Sequence, residues 1–198
     1  MAQAATKKSP KVAPVKTFAP GVRTPDTLER AALLCPAWSP MRAQSYATVA
    51  GVEAPGDGHA DLVTERTHSA LHALADAAGE DGARFLLGRV VAAIVADACK
   101  TGQLYSDAVS DARAITAQIA SMSEGDRDAI WGLASAQERA REKAARFGLR
   151  AMTARVMAEA AATAYLNIVG EDWKPYSGAA RPVATSAEAA AAAMAIFD

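Results

Sequence analysis

Apolar residues recur at steps of three and four from about residue 59 onward, and this rhythm is missing before it. In the first periodic stretch Val63, Thr67, Ala70, Leu71, Leu74 and Ala78 fall on one side. This predicts a helix from residue 59 or 61 to 78, with Gly79 as its C-terminal stop. A second helix, 81–100, carries a wider apolar face of Phe85, Leu86, Val90, Val91, Ile94, Val95 and Ala98, and is expected to be the most buried element. Thr101 and Gly102 read as its end. Gly88, Ala92 and Ala96 repeat every four residues along it, leaving a shallow ridge that another backbone could approach. Leu104, Ala108, Ile115 and Ile119 give a third helix over 103–121. Ser123-Glu-Gly-Asp126 resembles a capping box opening the last segment, 124–169, which contains no proline. Gly148 is its expected point of bending.

Residues 1–58 lack this periodicity and hold seven of the nine prolines. They read as an extended arm, with one short helix at 26–34 between Pro25 and Pro36. Trp38, Met41 and Tyr46 follow in a proline-bounded stretch, where an aromatic serves as an anchor onto the chain's own core or onto a neighbour. After residue 170 come a polar loop with Trp173 and Tyr176 and a short alanine-rich tail ending in Met194, Ile196 and Phe197. A tail this small cannot bury its own apolar side chains and must dock to be ordered. The division is therefore arm (1–58), helical core (59–169) and loop with tail (170–198), without any long-period repeat.

Composition agrees with an all-α fold, a compact bundle of four or five helices. Hydrophobic residues make up 51% of the chain but aromatics only 6%, so alanine, the best helix former, supplies much of the apolar content. The longest apolar run, 90–96, lies between Arg89 and Asp97 and falls far short of the roughly 20 residues that span a bilayer. Net charge is −1, which rules out a uniformly basic coat for nucleic acid. The charge is nonetheless uneven: twelve acids face six bases over 57–128, and six bases face three acids over 129–170. Two cysteines, Cys35 and Cys99, match neither a C-x-x-C pair nor a zinc spacing, so a reducing setting is expected, the cytoplasm or the inside of a particle. The basic, acid-free start leaves organelle targeting open, although Pro10, Pro14 and Pro20 interrupt the amphipathic helix a transit peptide needs.

Two polar constellations carry potential chemistry. Asp61, Glu65, His68, His72 and Asp76 share an arc of about 80° on the first core helix. The i, i+4 histidine pair with Glu65 has the spacing of a helical metal site. Glu65-x-x-His68 also matches half of a carboxylate di-iron motif, but no histidine after His72 supplies the other half. The apolar side of this helix lies opposite, so the stripe should face solvent or a partner. The second constellation, Arg139, Lys143, Arg146 and Arg150, spans about 60° and forms a basic ridge. Together with Lys7, Lys8, Lys11 and Lys16 of the arm it could follow a phosphate backbone. It lacks interleaved aromatics, and Glu142 stands four residues before Arg146 as in an ordinary salt-bridged surface. Arg141, Arg155 and Glu159 map to the inward side, where charges require pairing, Arg155 with Glu159 or with an acid of the three preceding helices.

Phosphate-binding loops, dinucleotide fingerprints, a nucleophile elbow and a zinc-protease helix motif are all missing from the sequence. The expectation is a non-enzymatic structural or interaction subunit of a larger assembly, virion-like or otherwise homo-oligomeric, with no cofactor and no small-molecule substrate. Its partners would be copies of itself or other subunits, contacted through Trp38, Tyr46, Trp173, Tyr176, Met194, Ile196 and Phe197. A nucleic-acid-binding helical module and a metal-binding bundle are the alternatives.

Overall fold

The periodic stretches become helices in the computed structural model, which describes residues 27–175 apart from Glu124, and of Glu80, Asp81 and Arg127 the backbone only. Four helices follow one another: α1 (Thr27–Leu34), α2 (Pro40–Ala50), α3 (His59–Ala120) and α4 (Arg127–Val169). Gly79 interrupts α3 with φ 69° and ψ 170°, a backbone region open essentially to glycine alone, so α3 has two arms, 59–78 and 80–120. The result is an all-α bundle of five helical segments, and no strand occurs among the described residues.

The second arm of α3 and the whole of α4 form an antiparallel hairpin. Asp97 lies beside Arg150 (3.7 Å), Thr116 beside Gln137 (2.7 Å), and Arg84 beside Glu171 (2.7 Å). At 1.5 Å per residue each limb is on the order of 60 Å long. The first arm of α3 runs along the distal half of α4, from His59, whose Nε2 lies 3.2 Å from Thr153 Oγ1, to the cleft that Ala75 shares with Ile168. The core sits where these three helices meet. Leu71, Leu87, Val91, Val95, Ala161 and Ala164 are at most 1% exposed. Each large side chain among them contributes roughly 1.5–3 kcal/mol by leaving water. Val90, Val91, Ile94, Val95 and Ala98 of the expected face are buried, and Leu87 joins them. Phe85 is instead 37% exposed, with the Arg89 guanidinium 5.8 Å from its ring centre.

Several expectations are corrected. Residues 40–50, read as part of an extended arm, form α2: Pro40 occupies the first turn, where its missing N–H goes unnoticed. Gly51 closes α2 in the left-handed conformation (φ 62°), with Val52 N–H donating to Ala47 O (3.0 Å) and Gly51 N–H to Thr48 O (3.3 Å). Thr101 and Gly102 do not end a helix; both are buried within α3, and the Thr101 hydroxyl donates to Asp97 O at 2.7 Å. At Gly102 α1 comes close, since a Cβ there would stand 2.7 Å from Leu34 Cβ. α4 continues as helix through Gly148. Asp126 makes no side-chain cap to α4; the Ser123 hydroxyl instead donates to the Asp126 carboxylate at 3.0 Å.

Arg155 meets the expected Glu159 at 2.7 Å and also donates to Ala32 O (3.1 Å) and Cys35 O (3.0 Å). α1 has no basic residue in its last turn, so α4 supplies the cation that satisfies its terminal carbonyls. Trp173 folds back after Gly170, buries its ring and donates from Nε1 to Gly88 O at 3.2 Å. Among the described residues, no helix is long and apolar enough to cross a membrane.

Candidate interaction surface

Burial along the hairpin stops abruptly. Side chains are buried on α3 as far as Ala108 and on α4 from Ala145 onward, and between residues 109 and 144 no described residue is buried. The two limbs therefore leave the body as a projecting tip; on α3 it covers 109–120, about 18 Å of helix. The spacing of three and four persists: Ile115 and Ile119 on α3, and Ile130, Leu133 and Ala140 on α4, are each only partly covered. A two-helix seam cannot enclose them, because each helix meets its neighbour along one line only. Beside the seam Trp131 stands 75% exposed. Neighbours on a helix point about 100° apart, so Ile130 and Trp131 cannot both enter one seam; the larger side chain faces outward.

At the base of the tip, α2 leans on the hairpin and leaves an open groove of about 390 Å³. Its apolar surface comes from Val49 of α2, Val109 and Ala112 of α3, and Ala144 of α4, alongside the rings of Tyr46 and Tyr105. The two tyrosine hydroxyls are 2.7 Å apart and the ring centres 6.0 Å apart. Gly148 makes room for them, since a Cβ there would lie 2.6 Å from Tyr46 Cε2. Burial and the Tyr105 hydrogen bond push the Tyr46 phenol from 10.0 up to about 12. Arg113 and Arg141 border the groove, both exposed, and neither makes a hydrogen bond or ion pair among the described residues. No acidic residue lines it.

The residues singled out in the sequence separate into three groups. Trp38, Tyr46 and Trp173 anchor to this chain: Trp38 packs on His59 with ring centres 5.0 Å apart, Tyr46 on Tyr105, and Trp173 on the core. The basic ridge is partly engaged at home, because Arg146 reaches Ala50 O (3.4 Å) and Arg150 approaches Asp97. Arg139 and Lys143 are exposed beside Glu142. On the first arm of α3, Glu65 and His72 are exposed while His68 turns partly inward, its Nε2 shielded and without a hydrogen-bond partner. Among the described residues no three His, Cys, Asp or Glu side chains gather in a way that could hold a metal ion, so Glu65, His68 and His72 do not converge. Lys7, Lys8, Lys11, Lys16, Tyr176, Met194, Ile196 and Phe197 lie outside the described residues.

Trp131, Tyr105, Arg113 and Val49 escaped the sequence reading. Of these, Trp131 had a usable signal, its adjacency to Ile130 at the start of a helix. Comparison with protein-family models, curated proteins and solved structures finds no match for this chain.

Proposed function

We propose that this protein is a non-enzymatic interaction subunit that associates with copies of itself through the tip of its α3–α4 hairpin. The observation that carries the reading is the unburied stretch 109–144, which keeps a helical apolar stripe and exposes Trp131. A second hairpin related by a twofold axis would cover that stripe in both copies and turn two seams into a four-helix contact. Tryptophan supports such a role, since large aromatics dominate association energies when they are desolvated at the centre of an interface. The basic ridge lends less weight to a nucleic-acid role, because Arg146 and Arg150 already face acceptors of the same chain.

The test is the native mass of the full chain across a concentration series. The expected outcome is a mass above 20.5 kDa that increases with concentration. Trp131→Lys is expected to weaken association by more than about tenfold. Its helical circular dichroism should be unchanged, because Trp131 is exposed in the single chain. A strictly monomeric wild-type chain would remove the proposal, and co-purified nucleic acid, lost at high salt, would favour the ridge instead.

A further inference from the structure

The groove between α2 and the hairpin base differs from the other clefts in pairing an apolar lining with unpartnered cations and no acid. The cleft beside Trp173 includes Glu171 and Asp172, the one beside Gly79 includes Asp76, and the one under α1 includes Glu29 and Glu159. Its occupant should therefore bring apolar side chains flanked by carboxylates. Two segments of this chain outside the described residues could reach for it, and charge separates them. Residues 1–26 carry Lys7, Lys8, Lys11, Lys16 and Arg23 against one acid, Asp26, and Arg113 and Arg141 would repel them. Residues 176–198 carry Glu188 and Asp198 and one base, Arg181, which lies outside 188–198, and between the two acids stand Met194, Ile196 and Phe197.

We infer that residues 188–198 dock in the groove of their own chain, with Met194, Ile196 and Phe197 against Val49, Tyr105 and Val109 and the two carboxylates near Arg113 and Arg141. Reach permits it. The described chain leaves the body beside Trp173, which is hydrogen-bonded to Gly88. From Gly88 to Tyr105 along α3 is about 26 Å at 1.5 Å per residue. Residues 176–187 span up to about 40 Å when extended. Docking would cover apolar surface at the groove and on the tail together, which neither covers alone. The groove lies at the base of the hairpin tip, its Arg141 ten residues of α4 or about 15 Å from Trp131. The readout of docking, a cross-link within one chain, is separate from the native mass that tests self-association.

The full chain with a photoreactive benzoyl-phenylalanine in place of Phe197 tests it. Irradiation followed by tryptic mapping should find the cross-link in the peptide holding Tyr46 and Val49 or in that holding Tyr105, Val109 and Ala112. Mixing light and heavy-isotope chains before irradiation should leave both halves of the linked product with the same label. Arg113→Glu combined with Arg141→Glu alters two exposed side chains and is expected to lower the yield about fivefold to tenfold, the scale of two surface ion pairs. Circular dichroism confirms that the double variant is folded. Cross-links elsewhere, products of mixed label, or a yield indifferent to the double charge reversal would each overturn the assignment.

Discussion

A methyl group added at Gly102 would lie 2.7 Å from Leu34 Cβ, 2.8 Å from Cys35 Sγ and 3.1 Å from the Leu34 carbonyl carbon. Alanine gains about 1 kcal/mol over glycine inside a helix, but here the obstruction includes the backbone at the end of α1, which Arg155 holds in place. Gly102→Ala is therefore expected to lose about 1–2 kcal/mol in urea unfolding, as overpacking outweighs propensity. Gly148→Ala is a contrast, because its obstacle is the half-buried ring of Tyr46, which borders an open groove and can tilt. Its net change should stay within about 1 kcal/mol, with the Tyr46–Tyr105 hydrogen bond as the casualty; a loss as large as that of Gly102→Ala would show that the ring has no room. Cys35 belongs to the same corner, donating to Ala98 O at 3.2 Å. Burial, aided by the neighbouring Cys99 and opposed by Arg155, raises its thiol from 9.0 to about 11. The unfolded chain ionises this thiol near its ordinary value while the folded chain keeps the proton, so stability falls as pH rises from about 9 to about 11. Cys35→Ala should flatten that part of a stability-against-pH curve, and equal slopes in the two proteins would assign the alkaline loss elsewhere. Tyr46, raised from 10.0 to about 12, adds a decline of the same sign at the upper end.

The helices with long apolar periods were readable, as were the start at 59, the stop at Gly79 and the end at 169. The end expected at 101–102 and the missing helix at 40–50 were misread, because glycine and proline each have two meanings. Gly79 and Gly102 both interrupt an apolar rhythm, yet Gly79 takes a positive φ with nothing within 4 Å of its Cβ position, and Gly102 is helical and crowded. Only the packing of α1 against α3 tells them apart. Ser39-Pro40, Gly51 and Pro55 together mark the start and end of α2, but taken singly the prolines read as barriers to helix. α2 buries only Ala43, Ala47 and Ala50, a face too small to stand out in an alanine-rich chain. Gly79→Ala checks this reading at the level of the element: with no steric neighbour, its whole cost is backbone strain, about 1–3 kcal/mol. Gly132 of α4 is also uncrowded but helical, so Gly132→Ala should stabilise by up to about 1 kcal/mol. Opposite signs in thermal unfolding are the expected result; two stabilising changes would mean that α3 straightens through residue 79.

Along the hairpin, packing is graded. In the body, α1, α2 and the first arm of α3 pack on the hairpin; α2 reaches only the base of the tip, through Ser45, Tyr46 and Val49, and beyond it the two limbs have only each other among the described residues. The sequence could not show this gradient, since Ile115, Ile119, Ile130 and Leu133 have the spacing of core residues and differ from Val91 or Val95 only in lacking a third helix. The anchors it did offer, Trp38, Tyr46 and Trp173, stood out as aromatics and proved to be held by this chain, whereas Trp131 is the exposed one. Two-helix segments of this length are marginal in water, so the tip should open locally without unfolding the body. Amide hydrogen exchange on a dilute, monomeric sample is expected to be faster over 109–120 and 128–140 than over 87–108 and 145–165. If copies meet at the tip, protection there should increase with chain concentration while protection in the body stays constant, because association stabilises only the residues it covers. A tip as protected as the body at the lowest concentration, or one whose exchange ignores concentration while the mass rises, would place the contact between copies somewhere other than Trp131.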